Sequence, residues 1–390
     1  MSSSTEQVDT KDIENANNSP NPPEERTGYK YIQEGLASMY YKIHENNGGE
    51  EIFYNPVQVQ NRDLSILMIS LFAERKAKRD AEKKLKKWTR QKLKEHENKP
   101  NNNEFPTKTV HDFIKEEFQG LRVLEALAAS GLRSIRYIKE CYSGLKSMEN
   151  KNLISEIIVN DLDPAAVDQA HENVKFNDVD PKIVKPQQGD AMDVMYSVRS
   201  KPDHEKFDVI DLDPYGSAAP FLDAAVQSVS NGGLLCISST DMIVLGGSKV
   251  DTCFGRYRSM PMPKAGYLQE LALRILLQTI ESRANTYGRT IKPILCVGIA
   301  FYVRVFVEIH DDRAGVVSSS LRIGHVYQST QCPSFFTVPQ GIQKKNVFVP
   351  SRGPPSPVCE ETGASFKIAG PIWLGCLHDP QIVKGMLYLS

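Results

Sequence analysis

The most chemistry per position lies in residues 207–217, FDVIDLDPYGS. Asp211 and Asp213 stand at the end of an apolar run, Val209, Ile210 and Leu212, and a Pro-Tyr-Gly turn follows at once. Such a run predicts a buried parallel strand that stops abruptly at its carboxyl end. In open α/β sheets, ligands bind in the crevice outside those ends. An acid followed by proline and an aromatic ring suits the exocyclic amine of a nucleobase. Asp213 accepts the amine hydrogens, Pro214 stiffens the turn and Tyr215 stacks on the base. Asp211 either shares the work of Asp213 or is a structural acid inside the strand end. The simpler alternative for the whole motif is an aspartate capping a tight turn.

Neighbouring segments place further groups at the same level. LRVLEALAASGLRSIRYIKE reads as a short strand, a turn of small residues and a helix carrying Leu132, Ile135 and Ile138. Ala128, Ala129, Ser130 and Gly131 let backbone and ligand approach closely, although tight packing alone would explain them. SEIIVNDLDPAAV reads as a second strand closed by Asp161 and Asp163, with Pro164 opening a helix. An acid at that position holds ribose hydroxyls in such folds. KIVKPQQGDAMDV brings Asp190 and Ala191 to the same edge, where Asp190 can accept from the amine of adenine and Ala191 leaves room for the ring. A helix cap is the alternative for Asp190. Arg62 falls at a helix start, where a cation gains nothing from the dipole, which invites a ligand or an ordinary surface arginine.

The elements that must position these groups are legible as patterns. YKYIQEGLASMYYKI suits a hairpin from Tyr29. Asn55-Pro56 breaks a strand, and Asn61 or Asp63 caps a helix with Leu64, Leu67, Met68, Leu71 and Phe72 at helical spacing. Residues 75–99 form a strongly basic helix, an exposed insertion whose lysines meet phosphates or an import receptor, or a solvated face with no partner. A linker follows at Pro100. After the D-P-Y-G strand come a helix, PFLDAAVQSVS, and a buried strand, GGLLCISSTDM. Next is an irregular basic loop whose Arg256, Tyr257, Arg258 and Lys264 either contact a phosphate backbone or are solvated. An amphipathic helix from about 264 to 285 leads to an antiparallel hairpin, PILCVGIAFYVRVFVEI, broken around Tyr302 to Arg304.

Five or six strands alternating with helices predict a doubly wound α/β sheet. There is no G-x-G-x-x-G, no P-loop lysine and no clear pyrophosphate cradle, which excludes a dinucleotide fingerprint. The acid-lined edge suits an adenosine-containing cofactor without phosphate, S-adenosylmethionine.

Composition sets the outer bounds. A chain of 390 residues with 40% hydrophobic content predicts about two domains plus tails. Seven cysteines without a secretory signal imply free thiols in a reducing compartment, and no apolar run is long enough for a membrane span. Residues 1–28, polar and acidic, are expected to be a disordered tail.

The strings FYNPVQVQNRDLSI, VLEALAASGLRSIR, VNDLDPAAV, GDA, FDVIDLDPYGSAAPFLDAAVQSVSNGGLLCIS, TDMIVL and FYVRVFVEI together resemble the tRNA (guanine(26)-N2)-dimethyltransferase family. They follow the family's order and cover roughly residues 29–310. The resemblance implies a Rossmann-like S-adenosylmethionine-dependent methyltransferase sheet with a small, shortened C-terminal domain. It implies transfer of one or two methyl groups to the exocyclic N2 of guanosine 26 in tRNA. Arg62, Arg133, Asp161, Asp190 and Ala191 match positions lining the methyl donor. The D-P-Y-G motif, residues 213–216, matches the substrate-amine site. With the reading of the residues themselves, Asp213, Asp211 and Tyr215 are the catalytic candidates, and Pro214, Tyr215, Arg256 and Arg258 the candidates toward substrate.

The expected organisation is a methyltransferase domain over 29–310, with a basic insertion at about 73–104, and a C-terminal domain over 311–390. The expected compartment is the nucleus, the cytoplasm or both. Two departures stand out. The family's paired C-x-x-C knuckles are CPSF and CEET here, leaving Cys332 and Cys359, so no zinc is expected. The chain also ends soon after GPIWLGCLHDPQIVKGM, which implies a shortened RNA-binding portion and keeps open a weak or inactive tRNA-binding protein. A DNA amino-methyltransferase is disfavoured by D-P-Y-G, and a nicotinamide dehydrogenase by the missing glycine fingerprint.

Overall fold

The computed structural model describes residues 27–42, 54–97 and 107–389. The predicted N-terminal tail up to residue 26, the strand before Asn55-Pro56 and the linker at Pro100 lie outside them. Tyr29–Glu34 (β1) and Ala37–Lys42 (β2) pair as the expected antiparallel hairpin. Asn55 accepts a hydrogen bond from the Val57 amide at 3.0 Å and caps a short 3-10 turn begun by Pro56. A single 39-residue helix, Val59–Glu97 (α1), follows. Asn61 and Asp63, expected as its caps, lie inside it, and the basic stretch expected as a separate insertion is its second half. The sequence from 59 to 97 contains neither proline nor glycine, so nothing interrupts the helical ladder.

Val110–Glu117 (α2) starts in a capping box between Thr109 and Asp112 and packs beside α1. The doubly wound region then runs Leu121–Glu125 (β3), Leu132–Glu140 (α3), Ile154–Asp161 (β4), Pro164–Phe176 (α4), Val184–Gln188 (β5), Ala191–Ser197 (α5), Phe207–Leu212 (β6), Leu222–Ser228 (α6) and Val229–Ser239 (β7). Met242–Leu245 (α7), Val250–Tyr257 (α8) and Leu268–Thr286 (α9) precede the closing hairpin, Arg289–Ile299 (β8) and Tyr302–Asp311 (β9). The sheet order is β5-β4-β3-β6-β7-β9-β8, with β9 antiparallel to both neighbours. Seven strands therefore replace the expected five or six.

Strand placement reverses between β3 and β6, where Glu125 pairs in register with Asp211. That makes the tips of β3 and β6 the topological switch point. Two local expectations are corrected. The stretch expected as an irregular loop contains α8, and α9 begins at Leu268, not 264. The closing hairpin turns at Ala300 and Phe301, because Tyr302, Val303 and Arg304 already pair with β8.

Helices cover both faces of the sheet. One buried layer joins α5, α6 and α9 to the sheet, and the other joins α1, α3 and α4 with the hairpin. The C-terminal part comprises Arg313–Val317 (α10), Ile323–Ser329 (β10), Phe335–Pro339 (β11), Gly341–Lys344 (β12), Val347–Pro350 (β13), Phe366–Trp373 (β14) and Pro380–Leu389 (α11). Its Ile372 and Trp373 enter the first layer and Ile382 and Met386 the second, so it shares both cores with the sheet. Asp379 ties it down by pairing with Arg75 at 3.2 Å and Lys292 at 2.9 Å. Partial burial pushes that carboxyl upward, but the two cations outweigh it and hold the pKa at about 2.

Cys332 and Cys359 face each other with their sulfurs 3.5 Å apart. At the other two knuckle positions, the Phe335 ring packs on Tyr267 and Thr362 accepts from the Ala364 amide. Among the described residues no three His, Cys, Asp or Glu side chains gather as a metal site, and no helix is long and apolar enough to cross a membrane.

Candidate active site

A cavity of about 530 Å³ opens at the tips of β3, β4 and β6, bounded by the start of α1 and by the β8–β9 turn. Each wall has a local cause. The β3 tip runs into the small-residue turn, where Ala129 takes a left-handed φ of 47° and Gly131 one of 72° to open α3. A β-carbon at such a φ is strained, and the surroundings must hold it. Asp161, at the tip of β4, does so by accepting from the Ala129 amide at 2.8 Å with one carboxylate oxygen and from the Asp163 amide at 3.0 Å with the other. Asp163 in turn caps α4.

The β6 tip carries the two aspartates in different surroundings. Asp213 lines the cavity and accepts from Arg133, which rises from α3. Its other oxygen, Oδ1, is buried with no hydrogen-bond partner, as is Gln58 Oε1 on the opposite wall. Tyr215, 89% exposed, stands at the rim beside Pro214. Asp211 is 1% exposed and sits behind the wall. It accepts from the Tyr137 hydroxyl at 2.5 Å and from Arg304 at 2.8 Å, with Arg133 3.6 Å away. Burial pushes its pKa up, but the Arg304 and Arg133 guanidinia more than offset this and hold it below the usual carboxylate range. The expectation that Asp211 shares the substrate amine is therefore corrected, because its strand turns it into the sheet, where it anchors cations.

Arg62 reaches the cavity wall, yet its guanidinium is clamped by Glu34 of β1 at 2.6 and 2.5 Å and donates to the Asn55 carbonyl at 3.1 Å. The cation that looked misplaced at a helix start is thus paired with the hairpin. Arg136 adds a second contact to Glu34 at 2.7 Å.

Asp190 and Ala191 lie one strand away and do not line this cavity. The Asp190 carboxylate caps α5, accepting from the Met192 amide at 2.7 Å, and Ala191 is buried. Both still border the Asp161 loop, since the Gly189 amide donates to the Asp161 carbonyl at 3.0 Å. Arg256 pairs with Asp241 at 2.6 Å, and Arg258 is exposed in a left-handed turn after α8. Neither lines the cavity.

Three residues escaped the reading of the sequence. Glu125, at the β3 tip, lines the cavity while only 4% exposed and accepts from the Ser134 amide and hydroxyl. Burial raises its pKa to about 8, against the pull of Arg133 and Ser134. Its signal was the one used for Asp161, an acid ending an apolar strand. Phe301 lines the cavity from the β8–β9 turn, which had been expected one residue later. Arg304, fully buried in β9, also donates to Ser65 and Ser238 at 2.7 Å each. A lone arginine in YVRVFVEI was the available clue.

This geometry is an acid-walled cleft at a switch point, with a carboxylate oxygen unpartnered beside an exposed aromatic ring. It can hold an adenosyl group and align an amine against it. The solved complex of Trm1 from Pyrococcus horikoshii with S-adenosyl-L-methionine has the same fold, at a TM-score of 0.64 and 23% identity over 92% of this chain and 77% of that one. Relatives named tRNA (guanine(26)-N(2))-dimethyltransferase are 38% identical in Drosophila melanogaster, 39% in Homo sapiens and 39% in Schizosaccharomyces pombe, over 87%, 91% and 86% of this chain. The chain spans 58%, 54% and 61% of their lengths. The family model described as N2,N2-dimethylguanosine tRNA methyltransferase matches residues 38–389. The chain belongs to that family of tRNA methyltransferases.

Proposed function

We propose that this chain transfers methyl groups from S-adenosylmethionine to the exocyclic N2 of guanosine 26 in tRNA, once or twice, in the nucleus or cytoplasm. The names of its relatives supply the substrate, and the observation that carries the reading is that Asp213, whose buried Oδ1 has no hydrogen-bond partner, lines the same cavity as Asp161. The residues fit the donor. Asp161 can turn toward ribose hydroxyls while fixing the Ala129 turn, the small side chains of that turn leave space, and Asp190 and Ala191 border it on the adenine side.

When bound, the donor supplies an electrophilic methyl group on a sulfonium. The guanine amine is a weak nucleophile because its lone pair is delocalised into the ring, so the protein's main contribution is alignment, an effect of up to roughly 7–11 kcal/mol in well-oriented systems. The target base leaves its stack, and Tyr215 supplies the face on which it rests. Asp213 Oδ1 accepts a hydrogen of the amine, orients the remaining lone pair and stabilises the positive charge that grows on nitrogen. The proton leaves to Asp213 or through it to water. Arg133, held from behind by Asp211, fixes the other Asp213 oxygen, so the carboxylate cannot rotate away. A second methylation requires only that the monomethylated amine present its remaining hydrogen to the same oxygen.

The test is incubation with radiolabelled methyl donor and tRNA transcripts carrying guanosine or adenosine at position 26. Label on the guanosine transcript alone is the expected result. Label on both contradicts the site assignment, and binding of tRNA without label on either favours an inactive RNA-binding protein.

A further inference from the structure

The distal half of α1 does not line the cavity, and several of its charges have no ion-pair partner among the described residues. Residues 83–94 read KKLKKWTRQKLK, seven cations and no acid. Lys84 pairs with Glu117 and Lys92 with Glu95. Lys83, Lys86, Lys87, Arg90 and Lys94 are exposed and form no ion pair among the described residues. At 3.6 residues per turn these five fall within an arc of roughly 100° along one helix face. They are also i, i+3 and i, i+4 neighbours of one another, an arrangement of like charges that destabilises a helix unless something neutralises it.

The opposite side is the one that belongs to the fold. Ala81 is buried, and Leu85 and Trp88 pack on the core beside α2, with Trp88 edge-on to Phe113 at 6.4 Å. Three to four turns earlier, the face that becomes cationic buries Ile69 and Phe72 against the sheet. Lys76 pairing with Asp208 at 3.3 Å and Arg79 donating to the Gly232 carbonyl at 2.9 Å mark where α1 passes the amino ends of the strands. Beyond that edge the same face changes from apolar to cationic, so the helix stops building core and presents charge. The stripe begins about 32 Å and ends about 48 Å along the helix axis from Arg62.

We propose that this stripe is a second RNA-binding surface, which holds the phosphate backbone of the tRNA at a distance from the reacting base. This rests on the tRNA substrate proposed above. Lys83, Lys87, Arg90 and Lys94 step by about 4.5–6 Å along the axis, comparable to the separation of neighbouring phosphates on one strand. Within residues 83–94 the arc holds no apolar side chain, which a protein partner would need at the centre of its contact. Phosphate contacts of this kind position an RNA without reading its sequence. The separation from Asp213 means that only an RNA with arms long enough to span the molecule engages both places.

The test uses the full chain and the variant combining Lys87→Ala, Arg90→Ala and Lys94→Ala, all exposed helix positions where alanine favours the helix. Fluorescence anisotropy against salt is measured with a whole tRNA and with a short stem-loop carrying the target guanosine. For the tRNA, the variant is expected to bind at least tenfold more weakly, and the slope of log K against log salt to fall by about 2–3. For the stem-loop, the two proteins should bind alike. Unchanged tRNA affinity and slope, or an equal loss on the stem-loop, would overturn the proposal. Loss of polyglutamate binding in the variant together with unchanged tRNA binding would assign the stripe to an acidic protein and also overturn it. Wild type that binds tRNA with the steeper slope but transfers no methyl would sink the activity reading alone and leave this surface standing.

Discussion

Arg304 of β9 reaches Asp211 of β6 at 2.8 Å across the intervening strand β7, and both side chains are essentially removed from solvent. Arg133 leans on the same carboxylate at 3.6 Å and passes its own charge forward to Asp213 at the cavity wall. Asp213, the carboxylate proposed to meet the substrate amine, is therefore the outermost member of a charged column that runs into the centre of the sheet.

Breaking that column from the inside is costly. Asp211→Asn or Arg304→Met leaves a buried charge without its partner, which destabilises a fold by about 3–5 kcal/mol. Urea denaturation followed by circular dichroism measures it. A shift below about 1 kcal/mol for both variants would mean that the column does not bear on stability.

Asp161 holds the left-handed Ala129 by a single 2.8 Å hydrogen bond. Asp161→Ala frees that turn, and affinity for the methyl donor is expected to fall at least tenfold, about 1.4 kcal/mol, in titration calorimetry. Asp161→Asn keeps one acceptor and should fall between the two. Wild-type affinity in Asp161→Ala would remove the turn from the donor site.

Glu125 gives a pH signature. Its pKa is raised from 4.5 to about 8 in the folded state, so the fold prefers the protonated carboxyl. The stability it contributes is fully present below pH 4.5 and is lost as pH rises through 8. Glu125→Gln cannot ionise, so its denaturation midpoint should gain on wild type steadily between pH 5 and pH 8.5. Parallel pH profiles for the two proteins would contradict a buried, neutral Glu125.

The parts of the molecule that were legible in the sequence are those with local causes. The β1–β2 hairpin, the small-residue turn, the acid that ends β4 and the D-P-Y-G turn each announce themselves within a dozen residues. Pairings between distant segments were not legible. Arg62 meets Glu34 from 28 positions away and Arg304 meets Asp211 from 93, and neither spacing leaves a periodic trace. The same holds for Asp211 itself, whose neighbour two residues on looks equivalent in sequence but lies past the end of β6 at Leu212, where the chain leaves the sheet for the cavity wall. The α8 helix was hidden by Gly255 and by basic residues that read as loop, although Cys253 and Tyr257 sit one turn apart and are both buried.

The most direct measurement is nucleoside mass spectrometry of tRNA after reaction, with wild type and Asp213→Ala compared under saturating donor. Wild type should yield N2-methylguanosine and N2,N2-dimethylguanosine from position 26, and the variant should yield less than about one hundredth as much while still binding donor, a loss of roughly 2.7 kcal/mol or more in transition-state stabilisation. Methyl groups on another atom of the base, or undiminished product from Asp213→Ala, would contradict the placement of the amine at Asp213.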